Sequence, residues 1–177
     1  MVNCGVMTSE FLKLLLYLAP MYFANSSAMI LGGGKTPVDL DRLFFDGKPL
    51  FGPGKTYRGL ILGVCAGTIA AFIISLALRE EVLTLTDNYL LLGFLLSAGA
   101  IVGDIVASFF KRRNNIAPGS EVLFLDQLDF VIGGMIFGSA VYSPQFYEVF
   151  FVCVVTLIVH KISNYIAYRA KLKKVPW

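Results

Sequence analysis

Residues 89–113 read YLLLGFLLSAGAIVGDIVASFFKRR. Up to Gly103 the run carries no charge; then comes a lone carboxylate, Asp104, and the run closes on Lys111, Arg112 and Arg113. A segment needs about 20 apolar residues to cross a bilayer. Lipid offers no partner to backbone amides, so such a run must be helical. The stretch therefore predicts a membrane helix with an acid sunk in it and cations at its end.

The rest of the chain repeats the pattern. It has 177 residues, is 56% hydrophobic and has a mean hydropathy of +0.72, too apolar for a soluble domain of this size. Four further runs are long enough to span: about Phe11 to Leu31, LILGVCAGTIAAFIISLAL (60–78), VLFLDQLDFVIGGMIFGSAVY (122–142), and about Phe146 to Tyr168. The expected fold is all-α: one domain over 1–177, a polytopic integral membrane protein with five transmembrane helices. The opening MVNCGVMTSE lacks a basic n-region and a small-residue cleavage site, so the first apolar run is expected to be a retained span. Cys4, Cys65 and Cys153 are scattered and read as small buried hydrophobes rather than a disulfide or metal framework.

Lysine and arginine set the orientation. Lys35, Arg42, Lys48, Lys55 and Arg58 lie between the first two runs, Lys111 to Arg113 after the third, and Arg169, Lys171, Lys173 and Lys174 in the tail. The opposite side holds Arg79, with Lys13 near its edge, among Glu10, Glu80, Glu81, Asp87 and Glu148. This predicts the N-terminus outside and the C-terminus in the cytoplasm. The loop at about 32–57, dense in Gly and Pro, is too long for a plain connection and marks the cytoplasmic face as the working side.

Asp104 precedes Lys111 by seven residues, about 10 Å of helix at ~1.5 Å per residue. Asp126 and Asp129 enter the next run from the same side and share a helical face. Each buried acid costs at least ~2.5 kcal/mol on insertion scales, and grouping them adds repulsion unless a cation sits among them. Mg²⁺ would supply one; for Asp104, an ion pair with Lys111 or Arg112 is the alternative. Asp104, Ser108, Lys111 and Arg112 form one polar stripe, suited to a metal–triphosphate complex with the cations on the phosphates. The bland readings are a positive-inside anchor for Lys111 to Arg113 and helix N-terminal acids for Asp126 and Asp129. The role of Arg113, anchor or more, stays open.

Two Gly-Lys-Thr triplets, 34–36 and 54–56, lack the upstream glycine of a Walker A loop: Met29 and Pro49 stand there. They read either as a flexible loop with anchoring lysines or as glycine-freed amides that meet phosphate with Lys35 or Lys55 and Thr56. His160, Lys161 and Asn164, and Asn25, Ser26 and Ser27, are assigned to helix packing or interfacial roles.

GDIVASFFKRR, followed by Pro118-Gly119 and LDQLDF, resembles the signature of CTP-dependent cytidylyltransferases that make CDP-activated lipids, G-D-x-x-x-S-x-x-K-R, then P-G, then D-x-x-D. Gly103, Asp104, Ser108, Lys111, Arg112, Asp126 and Asp129 match it in spacing. The Lys-Asp and His-Gly-Gly of the bacterial CDP-diacylglycerol synthases are absent, and Gln127 replaces a usual Arg. The short chain, LDQLDF, and the loop with PVD, DGK and GKT are similar to the archaeal branch, the CDP-archaeol synthases, although Pro53 stands where an acid is expected.

That resemblance implies a reaction of CTP with 2,3-bis-O-geranylgeranyl-sn-glycerol 1-phosphate, giving CDP-archaeol and pyrophosphate. It implies a multi-pass cell-membrane enzyme, with membrane lipid around it and no nucleic-acid partner. Asp104 and Asp126 are then the expected Mg²⁺ ligands, with Asp129 a third ligand or an orienter of the lipid phosphate. Lys111 and Arg112 would hold phosphates and stabilise departing pyrophosphate; Ser108, Lys35, Lys55 and Thr56 would assist. A CDP-alcohol phosphotransferase is disfavoured because its D-G-x-x-A-R signature is missing and Asp126 and Asp129 stand three apart, not four. An ion-coupled transporter would place its acids near the midplane.

Overall fold

The computed structural model describes residues 4–169 and 171. Lys173 and Lys174 of the expected tail lie outside the described residues, as do the side chains of Cys4 and Asn164. Six helices follow in order: α1 (Cys4–Leu31), α2 (Tyr57–Ala77), α3 (Arg79–Val82), α4 (Tyr89–Arg113), α5 (Leu125–Gly138) and α6 (Phe146–Arg169). Among the described residues four helical segments are long and apolar enough to cross a membrane: Glu10–Leu31, Tyr57–Ala77, Tyr89–Arg113 and Phe146–Ser163.

The fourth apolar run departs from expectation. Only Leu125–Gly138 of it forms a regular helix of 14 residues, about 21 Å at ~1.5 Å per residue and shorter than a span of its own. Phe124, at φ 66°, breaks the helix at one end. Isolated i→i−4 bonds, Asp126 N–H to Val122 O at 3.1 Å and Tyr142 N–H to Gly138 O at 2.9 Å, carry helical turns beyond both ends.

Small residues let the long helices approach. Gly59, Gly63 and Gly67 put a bare stripe of α2 on α1, where a Cβ at Gly63 would lie 2.9 Å from the Ala24 carbonyl oxygen. Gly99 and Gly103 of α4 meet Gly133 of α5 in the same manner, each leaving no room for a Cβ. This is the small-xxx-small packing of membrane helices, driven by close contact rather than by water. Pro20 in α1 has no N–H for the Leu16 carbonyl; the buried Tyr89 hydroxyl donates to that oxygen instead, at 2.6 Å. Cys65 is exposed on the helical surface and Cys153 half-buried, both free, so Cys65 is not the buried hydrophobe expected.

At the end of the bundle away from the long loop, Glu148 is fully buried. Its carboxylate accepts from the Tyr142 hydroxyl at 2.9 and 3.0 Å and from Gln145 N–H at 2.6 Å, and pairs with Lys13 at 3.2 Å. The two charges counted as surface features thus tie α6 to α1.

Candidate functional site

The loop between α1 and α2 is built on Asp39. Its carboxylate accepts backbone N–H groups from Gly52 at 2.9 Å, Phe51 at 3.0 Å and Asp41 at 3.2 Å. Burial alone would raise its pKa; these donors outweigh burial and hold the carboxyl below the usual range. The loop closes on itself through Val38 N–H to Lys55 O, 2.7 Å, and through the bridge of Pro37 with Thr56.

Arg113 fastens this loop to α4. Its guanidinium pairs with Asp46 at 3.0 Å, donates to Pro49 O, and lies 4.8 Å from the ring centroids of both Phe44 and Phe109. Lys48 donates to Arg113 O at 3.0 Å. Arg113, whose role the sequence left open, therefore clamps the loop to α4. Each cation–π contact is worth about 0.5–1 kcal/mol and the exposed pair less than ~1 kcal/mol. Arg113→Ala should therefore raise the rate of limited proteolysis at 42–50 by about tenfold. An unchanged cleavage rate would mean that the loop is held elsewhere.

The loop is folded over a cavity of about 500 Å³ lined by residues of α1, α2, α4, α5 and α6, with all three acids, Asp104, Asp126 and Asp129, in its wall. A second cavity of about 350 Å³ adjoins it and holds Ser108, Lys111 and Arg112. Met29, Gly54, Lys55, Asp126 and His160 line both. The polar stripe of α4 runs from one cavity to the other, as its spacing implied.

Two lysines meet the acids, Lys55 from the loop and Lys111 from α4. Lys55 Nζ meets the Asp104 oxygens at 2.6 and 2.5 Å, and Lys111 Nζ meets those of Asp126 at 2.9 and 2.7 Å. Asp104 thus pairs with neither Lys111 nor Arg112. Asp126 also accepts from Val122 N–H at 2.8 Å, and Lys111 donates to Ser120 O at 2.5 Å, which fixes the 118–122 loop over the site. One Asp129 oxygen accepts from Phe130 N–H at 2.6 Å. Arg112 is nearly buried; it donates to Ala117 O at 3.3 Å, and its Nε has no hydrogen-bond partner among the described residues.

Among the described residues no three metal-ligating side chains converge; lysine ammonium groups meet the oxygens of Asp104 and Asp126. Thr56 lines the first cavity and caps α2, accepting from Gly59 N–H at 3.1 Å and donating to Gly32 O. Lys35 is exposed and lies outside the cavity lining, although Gly32, Gly33 and Gly34 are in it. Asn25 and His160, read as packing residues, are in that lining.

The donor set still suits Mg²⁺, which commonly takes one or two carboxylates and completes its shell with water and substrate phosphate. Asp104 and Asp126 offer two hard carboxylate oxygen donors beside a cavity rimmed by cations.

A family model described as CarS-like, CDP-archaeol synthase, matches residues 7–177. The chain is 45% identical over 167 residues to the CDP-archaeol synthase of Methanocaldococcus jannaschii, covering 91% of this chain and 94% of that one. It is 40% identical over 164 residues to that of Sulfolobus acidocaldarius, with 92% and 96% covered. A solved structure described as "Structural insight into an intramembrane enzyme for archaeal membrane lipids biosynthesis" superposes with a TM-score of 0.76 at 30% identity, over 85% of this chain and 91% of that one. With a matched family model over residues 7–177 and a relative 45% identical over 91% of its length, this chain belongs to the CarS-like CDP-archaeol synthase family.

Proposed function

We propose that the protein transfers the cytidylyl group of CTP to an unsaturated archaeal ether-lipid phosphate, 2,3-bis-O-geranylgeranyl-sn-glycerol 1-phosphate, forming CDP-archaeol. The observation that carries this is the pair of acid–lysine contacts, Lys55 with Asp104 and Lys111 with Asp126, brought to one cavity by the loop and by α4 and α5. A phosphate oxygen of the lipid attacks the α-phosphorus of CTP; the new P–O bond forms as the bond to the β-phosphate oxygen breaks, and pyrophosphate leaves with the electron pair. The attacking group is already an anion, so no protein nucleophile is needed. What the chain must do is align the two phosphates and offset their charge.

Asp104 and Asp126 would hold Mg²⁺, with Asp129 as a third ligand or an orienter of the lipid phosphate. A bound Mg²⁺ would draw off charge developing on the phosphate oxygens. Lys55 and Lys111 are paired with carboxylates here and can turn to phosphate when a triphosphate arrives. Arg112 packs against Gly52, where an added Cβ would lie 3.5 Å from Nη1, and adds a guanidinium on the same wall. Ser108 offers a hydroxyl beside it.

We also place the N-terminus outside and the loops at 32–56 and 114–124 in the cytoplasm. α5 with its flanking turns serves as the fifth crossing, so that α6 starts on the outer side. The lysine and arginine distribution supports this.

The test uses the purified full-length protein in sealed vesicles sorted by orientation, with labelled CTP, Mg²⁺ and lipid phosphate. CDP-lipid and pyrophosphate should form in equal amounts, with CTP supplied to the face carrying the 32–56 loop, and chelation of the metal should stop the reaction. No product from either an archaeal or a diacyl lipid phosphate would overturn the reading, and turnover fed only from the opposite face would overturn the orientation.

A further inference from the structure

Glu148, Val152, Thr156 and His160 stand at every fourth position of α6. The first three have no exposed surface and His160 is half-buried. Residues four apart on a helix share a face, so these four are one inward stripe that winds slowly along the bundle. Its outer end is fixed by the bonds of Glu148 to Tyr142, Gln145 and Lys13. At the other end the stripe leaves the packed core and meets the site: His160 is the α6 residue in the lining of both cavities.

The other residues common to the two cavities do different work. Lys55 and Asp126 carry the charges assigned above to triphosphate and Mg²⁺, and Met29 and Gly54 bring no polar side chain. His160 brings an imidazole N–H donor to the junction. It also stands at the apolar border of the site. Past it on α6, Ile162 and Ile166 are 53% and 59% exposed, and on α1 Met29 and Ile30 are 68% and 73% exposed. A lipid whose chains stay in the bilayer can bring its headgroup to the cavities along these two surfaces. A nucleotide from the aqueous side meets Arg112, Lys111 and the loop first.

We infer that His160 is a substrate-binding residue for the phosphate of the lipid, donating a hydrogen bond that holds it at the junction of the two cavities. This rests on the cytidylyl-transfer reading above. His160→Ala and His160→Gln are compared with wild type in the full-length protein at saturating Mg²⁺, varying lipid phosphate and CTP separately. A hydrogen bond to a charged group is worth about 1.5–3 kcal/mol, so His160→Ala should raise the KM for lipid phosphate about tenfold or more. His160→Gln keeps an N–H donor and should recover most of that loss, with the KM for CTP unchanged in both variants. An unchanged lipid KM in His160→Ala would overturn the assignment. So would a rise in the KM for CTP instead, or an equal fall in kcat in both variants at constant KM, the mark of a structural role. A wild-type protein that makes no CDP-lipid would overturn the reaction itself, a result separable from these.

Discussion

Asp126→Asn is expected to lower kcat for CDP-archaeol formation by about 10³-fold or more, the scale on which fixed charge at a reacting phosphate acts, while leaving the protein inserted and folded. The amide is nearly isosteric. Its oxygen can still accept from Val122 N–H or from Lys111, the two donors that the carboxylate now meets at 2.8 Å and at 2.7 Å. What disappears is the negative charge. Lys111 keeps Ser120 O, so the loop over the site stays tied down. The pair is partly screened, with side-chain exposures of 11% and 23%, so its loss should cost stability only about 1–2 kcal/mol, between the exposed and buried limits. A large fall in rate with a small fall in Tm is therefore the signature. Asp104→Asn should behave alike, because Lys55 holds it in the same way. Asp129→Asn should lose less, about 10–100-fold, as befits a group that supports rather than makes the central contacts. Near-normal turnover in Asp126→Asn would remove it from the site; equal losses in rate and in folded protein would make it structural.

The parts of this molecule that local pattern encodes were legible in the sequence. Apolar length gave α1, α2, α4 and α6, and helical spacing gave the stripe of Asp104, Ser108, Lys111 and Arg112 that lines the adjoining cavities. The shared depth of Asp104 and Asp126 followed from their distance to the same end. Partnership was not legible, because it joins residues far apart in sequence. Lys55 and Asp104 are 49 positions apart, and no local rule links them. The role of Arg113 stayed open because a terminal arginine after an apolar run is usually an anchor; only the folded loop brings Phe44 and Asp46 to it. Thr56 could have been read as a helix cap, since a threonine directly before an apolar run is a start signal, but the Gly-Lys-Thr wording favoured phosphate. The short α5 was hidden because composition does not report the backbone break at Phe124. The Glu148 to His160 stripe shows its meaning only once Glu148 is known to be buried, which its charge argued against.

Gly103→Leu should reduce activity more than about 100-fold, the scale of a displacement of about 1 Å at a reacting centre. Gly103 makes no contact with substrate by any side chain, and it precedes the acid whose place it sets. A Cβ at position 103 would collide with the Asp129 carbonyl oxygen and lie 3.1 Å from Gly133 Cα. α4 and α5 therefore touch backbone to backbone at the level of the acids, and the glycine fixes how near Asp104 of one helix comes to Asp126 and Asp129 of the other. A leucine must push the helices apart or turn one of them. Overpacking of this kind costs about 1–3 kcal/mol, but the acids lose their register whichever way the strain is relieved, so activity should fall further than stability. Gly99→Leu supplies the comparison. It lies one turn away on the same seam, where a Cβ would strike Gly133 O and come within 2.8 Å of Phe137 Cβ. It should cost similar stability and less activity, because the displacement is centred farther from Asp104. Melting temperatures in detergent and initial rates of CDP-lipid formation for both variants separate the two effects. If Gly103→Leu keeps wild-type rates, the close approach does not position the acids; if both variants lose activity only in proportion to folded protein, the seam is packing alone.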